Sequence, residues 1–380
     1  MAFGRKNHVK VDPTNYGLML LAPAKHGKTT LIKEAMEIMG KNYLFVELKS
    51  ERGADAIENI QYINCPSWSE DYNEDDNSIG WEELVDDICE NPTDYNLDCI
   101  IMDTYDQYIT MAEERIIYLH NKQNPDRRTT QFNACFGGFG APSKKAIEIM
   151  FEQIERLNKV GVKVWWIGHT KLRTITDETG EYSYDILTSD QQSNYFNALK
   201  KNLAFICTGY TQREIGKEKG RVNPMTKKAD EKSLIKSEAR KIRFRDSSYI
   251  MDCGSRFADI QEECDMDAQQ FVDVLTNAIK AEIESKGSSV SERVKEDAKA
   301  TAKREKEIAA AEKENKSKKE LDNIISEITD WMKDNKSNMV ALKPVIAKCK
   351  ELCGSANPTE LTSIEDARKV LELIETGSEE

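Results

Sequence analysis

The stretch from Leu18 to Ile38, LMLLAPAKHGKTTLIKEAMEI, constrains the chain more than any other. An apolar run fits a strand buried on both faces. A short polar turn with one glycine follows, and Lys28, Thr29 and Thr30 then open an amphipathic stretch of helical period. A strand that turns directly into a helix aims the helix's first unpaired N–H groups back over the turn, and such a terminus holds anions. The spacing Ala22-x-x-x-x-Gly27-Lys28-Thr29 is that of a phosphate loop, with alanine where the first glycine is usual. Gly27 is where close backbone approach most needs a missing side chain, whereas Ala22 has only to enter the turn. On this reading Ala22, Pro23, Ala24, Lys25, His26, Gly27, Lys28, Thr29 and Thr30 cradle phosphates. Lys28 reaches the outer phosphates and Thr29 ligates Mg²⁺.

The surrounding pattern supplies a fold for such a loop. Apolar runs of strand length at 16–21, 43–48, 60–63, 97–102, 162–167 and 203–208 alternate with helical patterns near 28–39, 80–90, 105–123 and 142–160. The strands are continuously apolar, as in a mostly parallel sheet covered by helices on both faces, so the fold class is α/β. Residues 240–251 alternate and predict a two-stranded addition at a sheet edge.

Three later strand ends carry polar groups that suit a phosphate site. DCIIMDTYDQY ends four apolar residues in Asp103, which can hold the metal touched by Thr29 through water, or simply cap the next helix. In YLFVELKSERG, Glu47 and Glu51 compete to polarise an attacking water. Glu51 is preferred because it lies past the strand end, where ligands bind in open α/β sheets; a solvated loop acid is the plain alternative. VKVWWIGHTK ends in His169, either a sensor of the terminal phosphate or a satisfied structural histidine.

Composition narrows the classes. A net charge of -13 argues against coating duplex DNA over the whole surface, but leaves room for a local basic groove. Acid concentrates at 69–78, which lacks calcium-loop spacing, and base at 217–245. The nine cysteines are scattered through apolar runs, no Cys-x-x-Cys exists and the four histidines lie far apart, so neither disulfides nor structural zinc are expected. No apolar run approaches a membrane span, and the basic N-terminus lacks the apolar stretch of a secretory signal, so a cytosolic location is expected. Residues 286–320 hold 11 basic and 8 acidic residues with almost no large apolar side chain, and predict a charged helical linker. Residues 321–380 predict a small helical unit, with Thr362 or Ser363 capping its last helix. Its 7 basic and 12 acidic residues favour a protein partner over phosphate contact.

In their order, LLAPAKHGKTT, FVELKSERG, CIIMDTYDQY and WWIGHTK resemble the RecA-like ATPases carried by bacteriophages, the group that includes the Sak-type recombination ATPases. The similarity covers roughly residues 15–285 and implies a RecA-like P-loop core over 1–285, whereas the charged linker at 286–320 and the helical unit at 321–380 have no counterpart in that core. It implies ATP and Mg²⁺ as cofactors, with Lys28 and Thr29 on phosphate and metal, Asp103 as the metal acid, Glu51 as water activator and His169 as sensor. It further implies single-stranded DNA as partner, a homo-oligomer, and a single-strand-binding protein or other recombination protein alongside. Residues 170–196, with Lys171, Arg173, Tyr182, Tyr184 and Tyr195, fall where such proteins have a mobile DNA loop, although TDETGEY reads equally as a plain hairpin. The second DNA candidate is the glycine-rich segment 121–145, with Arg127, Arg128, Phe132, Phe136, Phe139, Lys144 and Lys145. Arg243, Arg245 and Arg256 are candidates to complete a neighbouring subunit's site. The competing functions are a nucleotide-gated annealing or adaptor scaffold with little turnover, and a helicase-loading ATPase.

Overall fold

The computed structural model describes residues 8–176, 180–222 and 229–376; for 217–222 and 229–233 it describes the backbone. Strands β1 (Leu18–Ala22), β2 (Tyr43–Leu48), β3 (Tyr62–Cys65) and β4 (Cys99–Asp103) join the first part of β5 (Lys163–Thr176) and of β7 (Phe205–Val222). They run parallel in the order β7-β1-β5-β4-β2-β3. Antiparallel pieces are added around this core: β6 (Ser183–Ser189) on the far half of β5, β8 (Ala229–Arg243) on β7, β9 (Gly254–Ser255) on the start of β7, and β10 (Glu263–Asp265) on β8.

The strands are apolar throughout because successive residues enter different cores. Leu18 and Leu20 pack with Leu31, Ile32 and Ala35 of α1 (Lys28–Ile38), and with Phe271 and Leu275 of the later helix Ala268–Ser285. Met19 and Leu21 join the opposite core, built on α2 (Trp81–Glu90), α4 (Tyr105–Gln123), α5 (Ala141–Val160) and α6 (Ser193–Lys200). Between α2 and α4, α3 (Pro92–Tyr95) is a single turn, and Ala268–Ser285 is α7. Burial of one such Leu or Ile stabilises by roughly 1.5–3 kcal/mol, so both faces contribute to holding the sheet.

The chain divides into two compact units, Met1–Cys89 with Tyr95–Thr301, and Glu90–Asp94 with Ala302–Glu380. The last helix of the sheet unit, α7, ends at Ser285, and α8 (Val290–Asp334) runs through residue 320 without a break. The expected linker and the first helix of the C-terminal unit are therefore one helix. Within the second unit, Ile324 and Ile328 pack with Val345 and Cys349 of α9 (Met339–Cys353) and with Val370 and Ile374 of α10 (Ile364–Thr376). Asn338 caps α9 by accepting the Ala341 N–H.

Two strands run much further than their apolar runs. Beyond His169, β5 leaves the parallel sheet and pairs with β6 as a hairpin; the register reaches Thr176 opposite Ser183, and Asp177, Glu178 and Thr179 of the expected TDETGEY turn lie outside the described residues. Beyond Thr208, β7 continues to Val222 paired with β8. The edge addition expected at 240–251 is corrected accordingly: β8 ends at Arg243, and the edge is built by β8 and β10. Outside the sheet most described side chains of these ribbons are exposed, Ile186, Leu187 and Ser189 of β6 excepted, so they carry little apolar alternation to read. All nine cysteines are free, seven of them buried. Among the described residues no helix is long and apolar enough to cross a membrane.

Candidate nucleotide site

β1 ends at Ala22, in register with His169 of β5, and the chain turns through Pro23–His26 into α1. Gly27 is the N-cap, with φ +95°, a conformation that disfavours any side chain. Ala22 is extended and wholly buried, and its methyl group faces Gly209 of β7: a Cβ built on Gly209 would lie 3.0 Å from the Ala22 Cβ and 3.2 Å from His26 Cδ2. The alanine at the loop's first position is thus matched by a missing side chain on the next strand. Lys28 is 6% exposed and its ammonium donates to the carbonyls of Ala22 (3.2 Å) and Pro23 (3.0 Å). Burial pushes its pKa down, against the pull of the Asp103, Glu51 and Asp106 carboxylates. A buried cation held only by loop carbonyls is ready to exchange them for phosphate oxygens.

Asp103 ends β4 and stands 5% exposed. The Thr29 hydroxyl donates to its Oδ2 at 2.8 Å. Burial holds the Asp103 carboxyl above its ordinary pKa; the Thr29 bond, Lys28 and His169 oppose that, and Glu51 adds to it. Both oxygens are hard donors, suited to Mg²⁺. Among the described residues no three His, Cys, Asp or Glu gather into a metal cage, so a magnesium ion held here would draw on Thr29, Asp103, water and phosphate oxygens.

The two competing glutamates separate by environment. Glu47, in register with Asp103 on the adjacent strand, is 2% exposed; its Oε1 accepts the Ala54 N–H at 2.5 Å while Oε2 has no partner. Burial raises its pKa, with the Ala54 bond opposing. Glu47 therefore pins the turn at Gly53–Ala54, and a Cβ on Gly53 would lie 3.6 Å from both Glu47 Oε1 and Thr29 Oγ1. Glu51 sits in the loop so pinned, half-buried, and its charge acts on both Lys28 and Asp103.

His169 is tied to the helix that follows Asp103. Its backbone N–H and Nδ1 both meet Asp106 Oδ2, at 3.3 and 3.1 Å, and Gln191 donates to Asp106 Oδ1 at 2.8 Å. That leaves Nε2 as the ring atom not engaged by Asp106. Neither Asp106 nor Gln191 was singled out from sequence, because each acts by orienting a neighbour distant in the chain. Among the described residues five buried side-chain atoms have no partner, His26 Nε2, Glu47 Oε2, Thr104 Oγ1, Thr170 Oγ1 and Thr208 Oγ1, and all five lie where the parallel strand pairing ends or in the loop beyond β1. Buried polar atoms are ordinarily satisfied, so their concentration on one edge marks where bound molecules complete the bonding.

One arginine that sequence reasoning missed reaches the loop. Arg240 of β8 donates through Nη1 to the His26 carbonyl at 3.4 Å, and Nη1 stands 3.9 Å from where a Gly27 Cβ would be. The three arginines proposed as trans-acting are held within the chain: Arg243 by Glu262 and Glu263, Arg245 by the carbonyls of Ala258 and Ile260, Arg256 by the carbonyl of Lys201.

The expected DNA segments resolve residue by residue. In 121–145, Phe132 and Phe136 pack against the core, and Lys145 lies over the Phe136 ring at 4.7 Å. Phe139 stands fully exposed at φ +50° between Gly138 and Gly140, with Arg127, Arg128, Lys144 and Lys145 exposed in the same segment. In 170–196, Lys171, Arg173, Tyr182 and Tyr184 are exposed. Tyr195 is not a free ring: it is wholly buried in α6 and donates to Glu113 at 2.8 Å, its spacing with Phe196 and Leu199 being that of a helix's inner face. A cavity of about 410 Å³ at the root of the β5–β6 hairpin is lined in part by Lys171, Arg173, Gln191, Phe196 and Asp252.

Residues 14–246 match the AAA domain family. No curated protein matches the chain. Among solved structures, it is similar to a KaiC-like protein from the hyperthermophilic archaeon Pyrococcus horikoshii OT3, with 12% identity over 60% of this chain and 85% of that one and a TM-score of 0.28.

Proposed function

Since this chain belongs to the AAA domain family and carries the loop of a P-loop ATPase, we propose that it hydrolyses ATP in the course of DNA recombination or replication, as a phage-type RecA-like protein acting on single-stranded DNA in an oligomer. The observation that carries the ATPase part is the Thr29–Asp103 hydrogen bond beside Lys28, at the edge where, among the described residues, buried polar atoms are left unpaired. Mg²⁺, held by Thr29 and through water by Asp103, supplies charge neutralisation of the outer phosphates. Lys28 exchanges its loop carbonyls for phosphate oxygens. Glu51 orients the water that attacks in line, Glu47 holds the Glu51 loop in place, and His169, fixed by Asp106, senses the terminal phosphate through Nε2.

Phe139 supports the single-strand part. A fully exposed aromatic ring in a glycine turn buries nothing in this chain, and with Arg127, Arg128, Lys144 and Lys145 exposed in the segment it suits a stacked base and its phosphates. A neighbouring copy, a single-strand-binding protein and, for a phage-encoded chain, the host cytoplasm complete this reading. The test is ATP hydrolysis with and without single-stranded DNA, for wild type and Lys28→Ala side by side. Turnover that rises with the strand and vanishes in Lys28→Ala is expected. Undiminished turnover in Lys28→Ala overturns the site, and turnover indifferent to DNA overturns the DNA part in favour of the scaffold.

A further inference from the structure

Arg240 is the cation that the proposed hydrolysis leaves without a task. It lies in β8 two residues before Ile242, so the two side chains share a face of the strand, and Ile242 is wholly buried in the core that α1 and α7 complete. That face leads to the start of α1. Arg240 Nη1 donates to the His26 carbonyl at 3.4 Å and stands 3.9 Å from where a Gly27 Cβ would be. Met266 Cε stands at the same distance from that point, and the Met266 N–H donates to the Arg240 carbonyl, so β8 is held beside the loop at this residue.

The neighbouring cations of the strand are engaged elsewhere. Lys241 pairs with Glu263, and Arg243 with Glu262 and Glu263. Among the described residues Arg240 has no acidic partner; Thr211, opposite it on β7, is neutral, and Arg240 is exposed. Burial, then the charges of Arg240 and Lys28, push the His26 pKa down, so the imidazole is neutral at pH 7 and the cations beside the loop are the lysine and the arginine.

The turn at His26–Lys28 therefore collects positive ends that are bonded to carbonyls alone. Lys28 donates to the carbonyls of Ala22 and Pro23, Arg240 to that of His26, and α1 has no side-chain cap at Gly27. A carbonyl satisfies a hydrogen bond but does not neutralise a charge. An anion at the helix N-terminus does both, and the planar fork of a guanidinium fits phosphate oxygens. Asp103 serves the Thr29 end of the loop, where the metal is placed, while Arg240 serves the His26–Gly27 end. We propose that Arg240 is a polyphosphate ligand of its own subunit's nucleotide site, gripping phosphate oxygens common to nucleoside di- and triphosphates and needing no metal to do so. The inference rests on the nucleotide-site reading given above and adds to it a residue from the antiparallel side of the sheet.

Full-length wild type and Arg240→Gln are titrated with a fluorescent ADP analogue, in Mg²⁺ and in EDTA, with inorganic pyrophosphate as competitor. In Arg240→Gln the affinity for the analogue is expected to fall at least about tenfold, as for one lost charge-assisted hydrogen bond, by the same factor in EDTA, and the affinity for pyrophosphate with it. An unfolding midpoint equal to wild type in the absence of nucleotide certifies the fold, and Arg240→Lys, which keeps the charge, is expected to lie between the two. Wild-type affinity in Arg240→Gln overturns the assignment and leaves the proposed function standing. A loss seen only with Mg²⁺, or for the analogue but not for pyrophosphate, moves the contact to the metal or the nucleoside and also overturns it. Recovery of tight binding when Arg240→Gln is mixed with Lys28→Ala gives the arginine to a neighbouring subunit and overturns the placement within one chain. A wild type that binds neither the analogue nor pyrophosphate overturns the nucleotide-site reading itself.

Discussion

Gly27→Ala separates folding from ligand binding at the phosphate loop. At φ +95° an L-residue costs roughly 1–2 kcal/mol of backbone strain. Sterics add little, because the new methyl group would meet nothing nearer than Arg240 Nη1 and Met266 Cε, both at 3.9 Å. Against an ordinary domain stability of about 5–15 kcal/mol, the variant stays folded. The same methyl group projects beside the N–H groups that must approach phosphate, each such charge-assisted bond being worth about 1.5–3 kcal/mol. Loss of one of them weakens nucleotide about 10- to 150-fold. Urea denaturation and titration with a fluorescent ATP analogue measure the two effects on one preparation. A Gly27→Ala protein that binds the analogue as wild type does refutes the phosphate-loop geometry, and one that fails to fold refutes the claim that the site has room.

Glu51→Gln should lower ATP turnover about 10²- to 10⁴-fold with analogue affinity retained; an unaltered rate assigns water activation elsewhere. Burial raises the carboxyl pKa of Asp103 and Glu47, so the folded state binds more protons than the unfolded one, and apo stability should fall as pH rises from the ordinary carboxylate range through the raised values. Denaturant midpoints across pH 4 to 8 measure the slope, which Asp103→Asn should flatten. Gly209→Ala should destabilise by about 1–3 kcal/mol through overpacking on Ala22 and His26, and Ala22→Gly in the same chain should recover part of that loss; strictly additive midpoints would break the proposed complementarity. Phe139→Ala should leave the unfolding midpoint unchanged and weaken oligothymidylate by about 1–3 kcal/mol, as read by anisotropy.

Most of the parallel sheet was legible because its strands are apolar on both faces and end in informative residues. Lys28, Thr29 and Asp103 could be placed together from spacing alone, since strand ends of an α/β sheet share one edge. What escaped was of two kinds. The described residues of the β5–β6 and β7–β8 ribbons are mostly exposed, so they show little hydrophobic period. Asp106, Gln191, Gly209 and Arg240 act through contacts between segments 63 to 214 residues apart, and no local pattern announces such a meeting. Tyr195 shows the opposite error: read by residue type, it looked like a stacking ring, while its helical neighbours Phe196 and Leu199 already marked an inner face.

β1 is five residues long, and each strand flanking it continues well past its end. From Thr208 to Val222 the β7–β8 ribbon extends 14 residues, up to about 46 Å at about 3.3 Å per residue. Its root is braced on the phosphate loop through Gly209 and Arg240. Tilting such a lever by a couple of degrees, within the slack of a few side-chain contacts, carries its far end more than an ångström. The reach of such a lever is thus set by chain geometry alone: lengthening or shortening the ribbon by residue pairs would change the travel of its far end without touching the loop at its root.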